Sequence, residues 1–82
     1  MACRIGMTTN LEARKAYWTS VCRNLRDWRI LAGPFPSKAL AQIKENELAR
    51  QHGCESAPGG DDPANPFAQW RVYGFNHDGC SG

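Results

Sequence analysis

The chain has 82 residues, of which 41% are hydrophobic and 22% charged, and its formal net charge is +2 at pH 7. Its apolar and aromatic content is too high for a disordered tail, and the absence of a long uncharged apolar run excludes a membrane span. The small net charge neither requires nor excludes nucleic-acid binding. We therefore expect one small α+β domain over residues 1–82, with a thin core and a small margin of stability.

The N-terminal residues show no secretory signal, because they lack an apolar stretch of sufficient length and a small-residue cleavage pattern. We expect a cytoplasmic protein of a bacterial host, and the reducing cytoplasm favours free thiols. The four cysteines are Cys3, Cys22, Cys54 and Cys80. An alternative is a zinc site, but its ligand pairs lack the usual CxxC spacing and we expect no metal or other cofactor. The ligands of that site would be His52, Cys54, His77 and Cys80.

The first half of the chain is predicted to form a short helical turn followed by a β-hairpin. Thr9 and Glu12 fit a capping box, while residues 1–8 are expected to be flexible. The aromatic and β-branched residues in 15–22 favour a first strand. Residues 27–32 favour a second strand, antiparallel to the first.

The second half is predicted to contain one helix and a third strand. Gly33-Pro34-Phe35-Pro36 ends the second strand, and Ser37 and Gly53 are suited to cap a helix over residues 38–52. The apolar side chains expected to dock this helix on the sheet are Ala39, Leu40 and Ile43.

The last third is predicted to be a loop, a strand and a tail. Residues 54–66 are rich in proline and glycine and favour a long loop. Residues 67–75 return to a strand-like composition, and residues 76–82 are expected to be a flexible tail.

The resulting order is ββαβ, a two-layer α+β fold with a three-stranded sheet covered on one face by one helix. The other face is expected to remain open. Arg29, Arg71 and Tyr73 are predicted to lie on it, and Arg and Tyr are enriched where proteins bind each other. An ordinary polar sheet face is the alternative.

We expect no enzymatic activity. The two histidines fall at a helix end and in the tail, away from a positioned nucleophile. Among the paired carboxylates, Asp61 and Asp62 lie in the loop, and Glu45 and Glu47 are predicted to be on a solvated helix face. No glycine-rich phosphate loop is present.

Nucleic-acid binding is the second candidate function. Basic residues concentrate around the predicted hairpin next to Trp18 and Trp28, on which bases could stack. The chain has no RNP-type strand, no GXXG loop and no recognition-helix pattern. The basic residues are Arg14, Lys15, Arg23, Arg26 and Arg29.

Two resemblances involve Gly33-Pro34-Phe35. Residues 28–41 resemble one strand-GPF-helix unit of SPOR repeats, which bind glycan in the bacterial envelope, but an exported SPOR domain has two such units. The chain also resembles small proteins of phages and bacterial mobile elements. Their pattern is matched by Tyr17-Trp18, Gly33-Pro34-Phe35, Ser37, Asp62-Pro63-Ala64 and Tyr73-Gly74.

The second resemblance implies an accessory protein of a phage or mobile element. It implies a non-enzymatic, anti-CRISPR-type inhibitor that blocks a host protein or ribonucleoprotein complex. The alternative is a small RNA- or DNA-binding protein. The residues predicted to contact the partner are Arg23, Arg26, Arg29, Arg71, Tyr73, Asp61 and Asp62.

Overall fold

The computed structural model describes residues 2–56 and 68–81. They form an α+β fold with two helices and a four-stranded mixed sheet, where three strands and one helix were predicted. The sheet order is β2-β4-β1-β3; β4 is antiparallel to both β2 and β1, and β3 is parallel to β1. The elements are β1 (Ala2–Thr8), α1 (Leu11–Val21), β2 (Arg26–Phe35), α2 (Lys38–His52), β3 (Glu55–Ser56) and β4 (Trp70–His77).

The N-terminal segment forms an inner strand of the sheet, and the prediction of flexibility over residues 1–8 is wrong. Strand β1 pairs with β4 along its whole length, with Ile5 opposite Gly74 and Met7 opposite Val72. Ile5 and Met7 are fully buried. This burial gives β1 the apolar contacts that hold it in the sheet.

Residues 15–22, predicted to form a strand, lie mainly in helix α1. Asn10 is its N-cap, because its side-chain oxygen accepts a hydrogen bond from the backbone N–H of Ala13 at 3.1 Å. The predicted turn near Thr9 is therefore the start of a three-turn helix, and the predicted hairpin does not form. Burial of Trp18 against the sheet outweighs the strand preference of its neighbours.

Helix α2 has the predicted bounds and caps. The Ser37 hydroxyl accepts a hydrogen bond from the Leu40 N–H, and Gly53 ends the helix at a φ of 66°. However, the face that meets the sheet is not the predicted one. The buried residues of α2 are Ala41, Glu45, Leu48 and Ala49. Two small alanines in this set allow a close approach of the helix to the sheet.

Both faces of the sheet carry a buried cluster, with α2 over one face and α1 over part of the other, so the expected fully open face is absent. On β4, Trp70 and Val72 pack in the cluster beneath α2, whereas Tyr73 and Phe75 pack in a second cluster with Trp18 of α1. Neighbouring residues of a strand point to opposite faces, so the two helices lie on opposite sides of the sheet. The arrangement has three layers instead of two.

Both ends of the described chain are joined to the body by disulfides. Cys3 of β1 is bonded to Cys54, just after α2, and Cys22, at the end of α1, is bonded to Cys80. The expectation of free thiols is therefore wrong, because the fold brings together cysteines that are 51 and 58 residues apart in the sequence.

The predicted tail is also ordered in its described part. Asn76 and His77 complete β4, and Ser81 donates a backbone hydrogen bond of 2.8 Å to the Val21 carbonyl. Of the predicted loop over residues 54–66, residues 55–56 form β3, while the part from residue 57 lies outside the described residues. Nowhere in residues 2–56 and 68–81 is there a helix of the length and apolarity that crossing a membrane takes.

Replacing both Cys22 and Cys80 with alanine is expected to lower the free energy of unfolding by roughly 2–4 kcal/mol. The reason is that the disulfide restricts the conformations of the unfolded chain and so lowers its entropy. Urea denaturation without reductant measures the loss. The Cys3→Ala/Cys54→Ala variant should lose a similar amount, since its loop has similar length. A denaturation midpoint equal to that of the parent protein in either variant would show that the corresponding bond is not formed.

Candidate interaction surface

Tyr73, predicted to contact a partner, lies in the interior beneath α1. Its hydroxyl accepts a hydrogen bond from the Trp18 indole N–H at 2.8 Å. The Trp28 ring stacks on its ring at a centroid distance of 4.7 Å, and Phe75 is buried beside it. Burial raises the pKa of Tyr73, against a smaller opposing effect of the Trp18 hydrogen bond. Tyr73 therefore stabilises the fold and is not on the surface.

Arg23 and Arg26 lie at the corner between α1 and β2, where they meet Asp78. Arg26 Nη1 lies 3.2 Å from Asp78 Oδ1, and Asn24 donates a 2.8 Å hydrogen bond to the other carboxylate oxygen. Arg23 Nη2 donates to the Asp78 carbonyl at 3.2 Å. The Asn24 hydrogen bond, with a further contribution from Arg26, lowers the pKa of Asp78. Both arginines thus tie the start of β2 to the end of β4.

Arg29 and Arg71 lie on opposite faces of the sheet, so they do not form one contact surface. Arg29 is paired with Gly74, and residues directly opposite each other share a face, which here is the α2 face. Arg71 shares the α1 face with Tyr73. A Cβ on Gly33 would come within 2.8 Å of the Trp70 carbonyl oxygen and 3.1 Å of Arg71 Cγ, so this glycine leaves space for the β4 backbone and for the arginine stem. The other two predicted contact residues, Asp61 and Asp62, lie outside the described residues.

The basic hairpin proposed for nucleic-acid binding is divided between two elements. Arg14 and Lys15 are on α1, where the Arg14 guanidinium lies 5.4 Å from the centre of the Tyr17 ring. Trp18 is buried and Trp28 is half-buried against Tyr73. The Trp18 ring is therefore not available for base stacking.

The alternative zinc site would need the thiols of Cys54 and Cys80, and both of these cysteines are in disulfides. His52 is exposed, whereas His77 is buried and its Nδ1 accepts a 3.0 Å hydrogen bond from the Gly79 N–H. In the part of the chain that the structure describes, no three His, Cys, Asp or Glu side chains are grouped so as to hold a metal ion.

The side of α2 that faces away from the sheet carries large apolar side chains. Leu40 is 48% exposed and Ile43 is 64% exposed. A shallow groove runs beside Ile43, with the Lys44–Glu47 ion pair, 3.4 Å long, near it. We define the α2 outer surface as Leu40, Ile43, Asn46, Glu47, Arg50 and Gln51. Sequence reasoning assigned Leu40 and Ile43 to the core and so missed this surface.

Glu45 is fully buried between α2 and the sheet, not on the predicted solvated face. The Ser56 hydroxyl donates a hydrogen bond to Glu45 Oε1, while Oε2 is buried without a hydrogen-bond partner among the described residues. Burial raises the pKa of Glu45, and the Ser56 hydrogen bond opposes this effect only in part. Compared with the unfolded chain, the fold therefore shifts the proton equilibrium of Glu45 toward the neutral carboxyl group.

Comparison with protein families, with curated proteins and with solved structures finds no match to this chain. The geometry of the described residues is therefore what bears on function.

Changing Tyr73 to Phe is expected to lower the free energy of unfolding by about 1–3 kcal/mol, because the buried Trp18 N–H loses its acceptor. Urea denaturation followed by tryptophan fluorescence measures the change. The matched control is Tyr17→Phe at a partly exposed position, expected to change stability by less than about 0.5 kcal/mol. Equal effects of the two substitutions would contradict the buried Trp18–Tyr73 contact.

Changing Glu45 to Gln is expected to stabilise the protein increasingly as the pH rises above 4.5, the ordinary pKa of the group. The raised pKa means that the folded state binds the Glu45 proton more tightly than the unfolded chain does. The resulting contribution to the free energy of unfolding is fully present at low pH and is lost as the pH rises through the pKa of Glu45 in the folded state. The gain is at most about 1.4 kcal/mol per pH unit, the limit for one proton. Urea denaturation at a series of pH values tests this.

The control for that series is Glu47→Gln, because Glu47 is an exposed glutamate of the same helix. Its free-energy difference from the parent protein should change little with pH. A pH-independent effect of Glu45→Gln would show that the carboxyl group is not buried.

Proposed function

We propose that this protein is a non-enzymatic binding protein that blocks a host protein or ribonucleoprotein complex, and that it docks through the α2 outer surface. The observation that carries the proposal is the exposure of Leu40 and Ile43 on neighbouring turns of one helix. Exposed apolar groups that adjoin charged and polar side chains are typical of protein-binding sites. Glu47 and Arg50 supply such a polar border.

The α2 outer surface belongs to a helix whose inner side is packed in the core, and this favours binding. Ala41, Leu48 and Ala49 anchor the inner side of α2 in the core, and the disulfide of Cys54 holds the segment after its C-terminus to β1. A contact surface already held in one conformation loses little conformational entropy when a partner binds. Leu40 and Ile43 would therefore be the central contacts.

The phage or mobile-element origin is proposed from the resemblance described above. Trp18 and Tyr73, which belong to that pattern, contact each other in the core, and Gly33-Pro34-Phe35 lies at the end of β2. These positions are ones that specify a fold. The shared pattern therefore supports a common scaffold, and the partner would be selected by α2 instead.

The compartment affects which partner is available. Disulfides persist in oxidising compartments and are rare in the cytoplasm, so Cys3–Cys54 and Cys22–Cys80 favour a partner met outside the reducing cytoplasm. An anti-CRISPR-type inhibitor acts in the cytoplasm, and it would have to keep its fold with four free thiols. Partner capture under oxidising and reducing conditions separates these two cases.

Direct nucleic-acid binding is the second candidate. All ten Lys and Arg residues lie in the described part of the chain, whereas two of the eight acids, Asp61 and Asp62, do not. The described residues therefore have a higher net positive charge than the whole chain. Affinity that comes from phosphate contacts falls steeply with added salt.

Affinity capture from a nuclease-treated bacterial lysate tests the docking surface. The parent protein should retain a specific host protein, and Leu40→Glu/Ile43→Glu should reduce its recovery at least tenfold, because two charges replace the apolar contacts. The matched control is Ile30→Glu, which alters a 56% exposed residue of β2 and should leave recovery unchanged. Capture is measured by quantitative mass spectrometry, with and without reductant.

Undiminished recovery with the double variant would show that another surface binds the partner. Capture that occurs only in a lysate left without nuclease treatment, and that weakens with salt, would favour the nucleic-acid candidate. Circular dichroism of both variants confirms that the fold is retained.

A further inference from the structure

Strand β3 has only two residues, yet side chains link it and its neighbour Cys54 to the body at three consecutive positions. Cys54 is bonded to Cys3, Glu55 Oε2 lies 3.1 Å from Arg4 Nη2, and Ser56 donates to Glu45. The backbone register with β1 contains only Arg4 opposite Glu55 and Ile5 opposite Ser56. So short a pairing at a sheet edge depends strongly on these side-chain links.

The three links respond to different conditions. The Cys3–Cys54 bond is broken by two-electron reduction, in which a dithiol is oxidised to its disulfide and two cysteine thiols form. The Arg4–Glu55 ion pair has a largely exposed carboxylate and is weakened by salt. The link from Ser56 depends on the state of Glu45, which is fully buried.

The surroundings of Glu45 offer its carboxylate little compensation. From β3, the Ser56 hydroxyl is its hydrogen-bond donor. Arg4 of β1 pairs with Glu55 of β3, and its guanidinium lies 5.2 Å from the centre of the Trp18 ring on the α1 side of the sheet. Tyr73 of β4 points to that side as well, and a charged Glu45 makes its ionisation harder.

Within α2 itself, Lys44 is engaged with the exposed Glu47. Burial and the Ser56 hydrogen bond are what shift the pKa of Glu45, and one of its oxygens already lacks a hydrogen-bond partner among the described residues. Ionisation in this position carries a desolvation cost that movement toward water would relieve.

We propose that Glu45 and Ser56 form a proton-controlled latch for β3. With the carboxyl group neutral, Ser56 stays against α2 and β3 remains paired with β1. Loss of the proton strengthens the Ser56 hydrogen bond, but this gain offsets the desolvation cost of the carboxylate only in part, so Glu45 moves toward water, leaves Ser56 and separates β3 from the edge of β1. The Cys3–Cys54 disulfide limits how far the strand moves, so reduction widens the opening.

Amide hydrogen exchange measured by NMR tests the latch. After correction for intrinsic exchange rates, protection of residues 55–56 should fall as the pH rises from 4.5, by up to about tenfold per pH unit until Glu45 is ionised in both states. Protection of Met7 and Val72, in the β1–β4 pairing, should stay unchanged over the same range and shows that the fold is intact.

Glu45→Gln should remove the pH dependence at residues 55–56, and the exposed control Glu47→Gln should retain it. Ser56→Ala keeps the acid but deletes its donor, so protection should be lower already at pH 4.5. Cys3→Ala/Cys54→Ala should increase the loss of protection at high pH. The proposal is overturned if the parent protein and Glu45→Gln show the same pH profile, or if Met7 and Val72 lose protection together with β3.

Discussion

The antiparallel pairing of β1 with β4 is the interaction on which the rest of the structure depends. It joins the first described segment of the chain to the last, from Ala2 opposite His77 to Thr8 opposite Arg71. Bringing such distant segments together costs loop-closure entropy before any contact compensates for it. Each strand carries one end of a disulfide to another part of the chain: Cys3 of β1 is bonded to Cys54 after α2, and Cys80 after β4 is bonded to Cys22 after α1. These bonds reduce the entropy difference that the pairing must overcome in a domain with a thin core.

The sequence was sufficient to predict those helices and strands whose conformation is determined by their own residues. The caps Ser37 and Gly53 gave the bounds of α2, and the second predicted strand lies within β2. β1 was missed because its identity depends on β4, more than sixty residues away, and nothing in its own composition predicts a strand. Helix α1 was mistaken for a strand since Tyr17 and Trp18 have strand-like propensities, and the packing of Trp18 on Phe75 decides otherwise.

Surface residues were predicted less well than elements, because the side to which they point follows from topology. Arg29 and Arg71 were expected on one open face, but α1 covers part of that face and the register places the two arginines on opposite sides. The cysteines show the same dependence, since spacing alone leaves their pairing undetermined. In α2, two possible apolar stripes overlap, and the one that contains Ala41 and Ala49 permits the closer approach to the sheet.

Helix α2 departs from the usual distribution of residues on both of its sides. It buries the carboxyl group of Glu45 and exposes Ile43, although a neutral residue inside and a polar residue outside would serve stability better. Such departures are expected where a site has a role besides folding. Both residues lie on α2, so a partner that contacts Ile43 would bias the protonation of Glu45 only if it changed the packing of α2 on the sheet, and such a coupling would be reciprocal. A partner that binds without changing the position of α2 would leave that protonation unaffected.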